Sequence, residues 1–140
     1  VEKSLNLRIL SDLTPEARTA LMRAMSYDTM GGLQGLEAVI DGGTLFEVTD
    51  GPIGAPVLHY VLKVAQRTHG REGIILAAAG ALPGFDLTRD YLPAVEHQFR
   101  AEGCAAVVLH TRRPGLKAKL EMQGYRCDAF VMRKHLGALQ

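Results

Sequence analysis

Two short runs narrow the folds open to this chain more than anything else in it. They are EGIILAAAG, residues 72–80, and CAAVVLH, residues 104–110. Each is nearly all apolar, the pattern of a strand covered on both faces rather than one half in water. Between them, Leu92, Val95 and Phe99 fall at helical spacing, and Gly103 stands where a helix ends. Two buried strands joined by a helix form a right-handed parallel crossover in one sheet.

The other segments extend that sheet. LNLRIL, residues 5–10, alternates and starts the fold as a strand. Thr14, Pro15 and Glu16 are an N-cap, a first helical residue and a first-turn acid. The helix continues through Tyr27, with Ala17, Leu21, Ala24 and Met25 as its apolar stripe. GLQGLEAVIDGG reads as a short second helix closed by Gly42 and Gly43. Residues 44–50 and 57–69 are β-rich and flank the turn GPIGAP, which predicts a hairpin. RRPGLKAKLEMQG is a short helix with Pro114 near its start and Gly124 past its end, and YRCDAFVMRKHL closes the chain as a strand. The expected order is β-α-α-β-β-β-α-β-α-β: an α/β fold, a mixed sheet with helices on both faces, in a single domain spanning 1–140.

Composition removes several classes of function. With 16 Lys+Arg against 15 Asp+Glu, the net charge of +1 gives no global pull toward nucleic acid or anionic membrane. No apolar run approaches the ~18–20 residues of a membrane span, and VEKSLNLRIL lacks the apolar core of a secretion signal. Cys104 and Cys127 do not make a disulfide framework, and together with His97 and His110 they are too scattered for zinc. Both thiols are expected to be buried, no metal is expected, and a reducing cytoplasm is the expected location.

The order of elements is similar to that of the GNAT superfamily of N-acetyltransferases. The sharper likeness lies in the last third. The helix ending AEGC, the strand AAVVLH, the turn RRPG, the helix LKAKLEMQGY and a final strand ending RKHL resemble compact GNAT-like proteins of tailed phages and prophages. The resemblance implies a V-shaped split between the strands GIILAAAG and AAVVLH that admits acetyl-CoA. Its pantetheine arm would pair with the backbone around Ala78 and Ala79. Its pyrophosphate would meet the loop and helix start carrying Gly80, Gly84, Thr88 and Arg89, with Arg113 nearby. An amine acceptor, small molecule or protein, would enter from the opposite side. Such domains often pair, so a homodimer is compatible with the resemblance.

The residues depart from that pattern in several places. The loop ALPGFDLTRD lacks the family's closely spaced glycines. Pro93 has no N–H and suits only a first turn, which points to Asp90 as N-cap. A cap at Thr88 would set Pro93 deeper and kink the helix. A capping aspartate uses donors that a phosphate would need and repels an anion, so turn chemistry alone accounts for the loop, with Arg89 as the counterweight. The four cations Arg112, Arg113, Lys117 and Lys119 read as a solvated helix face, with nucleic acid disfavoured by the missing aromatics. The family's tyrosine general acid falls on Leu120, its asparagine on Arg113, and GIILAAAG carries no acidic base. His110, ending the second strand, is the remaining acid–base candidate. One of His59 and Tyr60 must face the core or the split, because strand side chains alternate. Tyr125 reads as a packing residue with its hydroxyl at the surface. Three functions follow: an acetyl-CoA-dependent N-acyltransferase, a catalytically inactive GNAT-like phage or prophage protein that binds or assembles, or a partner binder that uses the basic patch from Arg112 to Lys119.

Overall fold

A computed structural model of the chain describes residues 5–25 and 35–137. The expected end of the first helix at Ser26 and Tyr27, the Met25 side chain and the lead-in to the second helix at residues 32–34 lie outside the described residues. Within them the elements run β1 (Leu5–Leu10), α1 (Pro15–Met25), α2 (Leu36–Asp41), β2 (Thr44–Asp50), β3 (Pro56–Arg67), β4 (Gly70–Gly80), α3 (Leu87–Ala101), β5 (Cys104–Leu109) and α4 (Pro114–Met122). They build a five-stranded sheet in the order β1-β2-β3-β4-β5. Neighbours from β1 to β4 are antiparallel, and β4 and β5 are parallel, with α3 as the connection between them.

Local chemistry sets the ends of these elements. Thr14 Oγ1 accepts the Ala17 N–H at 3.1 Å, capping α1. α2 stops at Gly42, whose N–H reaches Ala38 O at 3.1 Å. α3 ends at Ala101 with Glu102 as its C-cap, and Gly103 follows with φ +78°, a left-handed conformation that glycine adopts without strain. β3 stops at Arg67 rather than running to His69, because Thr68 and His69 form the turn into β4.

Strand alternation then sorts the core into two layers. Leu45 and Val61 point to one face, where Ala17, Leu21, Leu36 and Val39 of α1 and α2 cover them. Val48, Leu58, Tyr60 and Leu62 point to the other, under Leu92, Val95 and Phe99 of α3 and Leu120 of α4. The helical stripe expected from the sequence is the buried face of α3. That helix sits directly on the sheet at Gly73, where an added Cβ would lie 2.4 Å from the Phe99 ring.

Three expectations fail toward the end of the chain. The final strand expected from YRCDAFVMRKHL does not form: residues 125–137 have no regular secondary structure and join no ladder. β5 is consequently not buried. Ala105 and Ala106 are exposed and its other residues half-buried, because no other strand among the described residues covers its outer edge. Cys127, on the unpacked segment, is exposed, while Cys104 is half-buried. The far end of β4 is also barer than its composition suggests, with Ala78 and Gly80 exposed. Among the described residues, no helix is long and apolar enough to cross a membrane.

Candidate functional site

The parallel pair parts partway along its length. β4 and β5 pair from Arg71 opposite Cys104 to Ile75 opposite Leu109, with one irregularity after Arg71, where Ala105 is an extra residue in β5. β5 then ends, whereas β4 continues through Leu76, Ala77, Ala78, Ala79 and Gly80 with only β3 beside it. A bulge in β4 sits at the parting. Val61 of β3 faces Ala77 and Leu62 faces Ile75, so Leu76 is an extra residue. An extra residue bends its strand and raises the local twist, which turns β4 away from β5. The freed edge of β4 carries backbone donors and acceptors, and its side chains are mostly methyl groups. An extended ligand bearing amides can come close to it. Apolar runs marked both strands in the sequence, but nothing in them marked the bulge.

The loop beyond β4 is built by turn chemistry. Leu82, Pro83, Gly84 and Phe85 form a turn closed by Phe85 N to Leu82 O at 3.0 Å, with Gly84 at φ +74°. Pro at the second place and a left-handed Gly at the third make this a type II turn. Gly80 has a different cause: an added Cβ would lie 2.3 Å from Val57 O.

The helix start corrects the expected cap. Asp86, not Asp90 or Thr88, is the N-cap of α3. Its Oδ1 accepts from Thr88 N at 3.1 Å and Arg89 N at 3.2 Å. Asp90 instead accepts the Asp86 N–H at 2.9 Å and pairs with Arg89 through Nε at 2.8 Å. Pro93 therefore lies inside the helix rather than in its first turn. Backbone donation from Arg89, above all, holds the Asp86 carboxyl below its ordinary range despite some desolvation, and Lys119 at 3.4 Å adds to this. Thr88 is engaged at both backbone groups, since its carbonyl accepts from Gln123 Nε2 at 2.7 Å. A phosphate at this helix start would compete with Asp86 for two donors and with Asp90 for Arg89.

The other candidates fall at various distances from the split. His110 is exposed and directly follows Leu109, where the strands part. Arg113 is the N-cap residue of α4 and gives that helix no side-chain cap. The cations of the basic run lie on an exposed face, where Lys117 pairs with Glu121 at 3.1 Å and Lys119 with Asp86. Leu120 is a core residue. Tyr125 is half-buried, with its hydroxyl donating to Glu96 Oε2 at 2.7 Å rather than lying free at the surface. Burial, followed by that carboxylate, pushes its pKa up.

His59 and Tyr60 are both buried, one on each face. Tyr60 stacks on Phe46 with ring centres 5.2 Å apart and donates to Gln98 Oε1 at 2.7 Å. Burial pushes its hydroxyl well above the ordinary tyrosine range. His59 belongs to a polar row that sequence reading missed. Arg8, Glu47, His59 and Ala79 are successive register partners across four strands. Arg8 Nε reaches Glu47 Oε1 at 2.7 Å, and His59 Nε2 lies 2.9 Å from Glu47 Oε2. Because a carboxylate only accepts, the proton in that contact is on His59 Nε2. Burial would raise the Glu47 pKa, but hydrogen bonds from His59 and Arg8 outweigh it and hold the carboxyl below its ordinary value. A Glu inside TLFEVTD, with Arg8 one strand earlier, becomes legible as a network only once the register is known.

Two clefts lie elsewhere. One of about 380 Å³ follows β5 and the segment after α4, and one of about 510 Å³ lies between the α2–β2 turn, β3 and α3. Among the described residues, no three His, Cys, Asp or Glu side chains gather as a metal site.

A mixed five-stranded sheet with helices, four strands antiparallel and β4 and β5 parallel, is a GNAT-like fold that solved acetyltransferases share. Solved structures with this fold match almost the whole chain. An acetyltransferase-like protein of Pyrococcus furiosus superposes with a TM-score of 0.70 at 16% identity, covering 95% of this chain and 100% of its own. An acetyltransferase of Trypanosoma brucei gives 0.60 at 19% identity, with 95% and 100% covered. The glucosamine-6-phosphate N-acetyltransferase of Arabidopsis thaliana gives 0.58 at 14%, with 96% and 100% covered. No family model and no curated protein sequence matches the chain.

Proposed function

We propose that this chain is an N-acyltransferase that transfers the acetyl group of acetyl-CoA directly to an amine. The observation that carries the reading is the open edge of β4 from Leu76 to Gly80, beside which β5 has ended. The pantetheine arm contains amides that can pair with such an edge as a strand would. Ala78 and Ala79 leave it room, and the loop with Gly80 and Gly84 leads to the α3 start. Thr88, Arg89 and Arg113 are the groups proposed to meet the phosphates, with Arg89 exchanging its Asp90 partner for them.

Acetyl-CoA supplies an acyl group on a thioester: a new N–C bond forms as the C–S bond breaks. The protein holds the two reactants together and removes the proton the amine must lose. His110, exposed where the strands part, is the proposed base. The departing thiolate takes its proton from water, since Leu120 is in the core. The His59–Glu47 pair, opposite Ala79, holds the sheet beneath the split rather than touching substrate. The proposed location is the cytoplasm.

Calorimetric titration of acetyl-CoA and free CoA tests the reading. Micromolar binding, weakened about tenfold or more by Arg89→Ala or Arg113→Ala, is expected for loss of a charge-assisted phosphate contact. Absence of binding at millimolar CoA would sink it. His110→Ala should leave acetyl-CoA affinity unchanged and lower turnover about 10²-fold or more once an acceptor is found.

A further inference from the structure

Two helices flank the mouth of the split, and their charges are opposite. α3 starts on Asp86, with Asp90 in its first turn. α4 starts on Arg113, has no acid in its first turn and carries Lys117 and Lys119. The body of α4 is tied to the start of α3. Lys119 Nζ lies 3.4 Å from Asp86 Oδ2, and Gln123 Nε2 donates to Thr88 O at 2.7 Å. Only residues 110–113 separate the end of β5 from α4, so the cations of that helix stand beside the place where the strands part.

The α3 start suits a ligand with little phosphate. Asp86 already holds the N–H groups of Thr88 and Arg89, and Arg89 is paired with Asp90. Free CoA brings a pyrophosphate and a further phosphate on its ribose. Each of these must displace a carboxylate from its donors or find a cation further off. A phosphopantetheine arm attached to a carrier protein brings the same amides and the same thioester, but a single phosphate.

The α4 surface fits something larger than a phosphate. Arg112, Arg113, Lys117 and Lys119 are all exposed, and no acidic residue interrupts them. Between them Pro114, Gly115 and Ala118 are exposed and small, so the surface is low and a protein can lie on it. From Pro114 to Lys119 the helix axis rises about 8 Å, roughly a turn and a half of a facing helix. Glu121 and Asp86 hold Lys117 and Lys119 in surface ion pairs, which exchange for other carboxylates at little cost. The whole chain carries only +1, so the excess of cations is local and selects the sign of a partner at this one face.

We infer that the split also takes its thioester from an acidic carrier protein, which docks on the α4 face through Arg112, Lys117 and Lys119 and passes its phosphopantetheine arm to the free edge of β4. The inference rests on the acyltransferase reading and names a partner for the same site. The arm pairs with β4 between Leu76 and Gly80 as the arm of CoA does, and its one phosphate falls to Arg89 or Arg113. The amine nitrogen bonds to the acyl carbon as the C–S bond breaks. The amine's proton leaves through His110, and the carrier's thiolate takes one from water. Affinity comes from the docked protein surface, so the acids at the α3 start matter less than they do for free CoA.

Calorimetry on the full chain tests this. The probes are an acidic acyl carrier protein with and without an acetylated phosphopantetheine arm, and acetyl-pantetheine, which is uncharged and reads the split alone. The acetylated carrier should bind at micromolar concentration, about tenfold or more tighter than the armless form, and should weaken as salt rises. Arg112→Glu with Lys117→Glu should weaken it about tenfold or more, while acetyl-pantetheine binding is unchanged and the melt stays cooperative. Arg112→Gln with Lys117→Gln, which adds no negative charge, should give a smaller loss in the same direction. Equal binding of the armless carrier, indifference to both paired substitutions, or no carrier binding by a chain that binds acetyl-CoA would each overturn the inference. A chain that binds neither acetyl-CoA nor acetyl-pantetheine would overturn the acyltransferase reading itself, and the inference with it.

Discussion

The two halves of β4 do opposite things. From Arg71 to Ile75 the strand has neighbours on both sides and α3 pressed onto it, with Phe99 over Gly73. From Leu76 to Gly80 one side is open, and Ala78 and Gly80 are exposed. The first half is where packing holds the crossover together. In the second, pairing is given up and an edge stays available. A single extra residue, Leu76, divides them. Fold stability and a binding edge can therefore be disturbed separately.

The largest effect should come from the closed half. Phe99 is almost fully buried, and Phe99→Ala should cost about 3–5 kcal/mol of unfolding free energy, the usual result of emptying a core position. Denaturant titration would read it. A cost below about 1 kcal/mol would mean that α3 is not seated on Gly73 as described.

A middle-sized effect belongs to the row beside the open half. Glu47→Ala strips His59 of its buried acceptor and should cost about 2 kcal/mol. The pH dependence has a definite sign. The Glu47 carboxyl is held below its ordinary 4.5, so its contribution is complete above that value and is lost as pH falls through the depressed one. Glu47→Gln should flatten the acid side of a plot of melting temperature against pH. An unchanged acid limb would show that other carboxylates dominate it.

The smallest effect on folding, and the sharpest on the split, is expected at Ala78. Ala78→Leu adds bulk at an exposed position of the open edge, so stability should move by no more than about 0.5 kcal/mol. On the proposed function, acetyl-CoA affinity should fall about tenfold or more, as for any obstruction of a close backbone approach. The reverse pattern, with stability lost and affinity kept, would place the ligand edge elsewhere.

Much of this architecture could be read before any fold was seen, and the reasons are local. The α1 cap at Thr14, the stripe Leu92, Val95 and Phe99, the stop at Gly103 and the hairpin around residues 51–55 each depend on a few adjacent residues. The crossover followed from two apolar runs flanking a helix. The turn ahead of α3 was legible too, because Pro83 and Gly84 declare one. The cap of α3 was misplaced by four residues because Pro93 argued for a later start, while Asp86 had the better geometry for two backbone donors.

The remainder depended on which segments meet. Residue pattern cannot reveal a bulge at Leu76, since register is a relation between β3 and β4. It cannot align Arg8, Glu47 and His59, which come from three strands, nor give Thr88 its partner Gln123. The last segment makes the contrast clearest. Its alternation expresses a strand's preference, and that is a property of the chain alone. Whether the strand forms depends on an edge to pair with, because an isolated strand leaves its backbone groups and its apolar face to water. Sequence by itself determined the elements as far as α4, and the crossover. Only tertiary structure decided where the parallel strands part and which edge was left bare, because both are set by backbone pairing between segments distant in the chain.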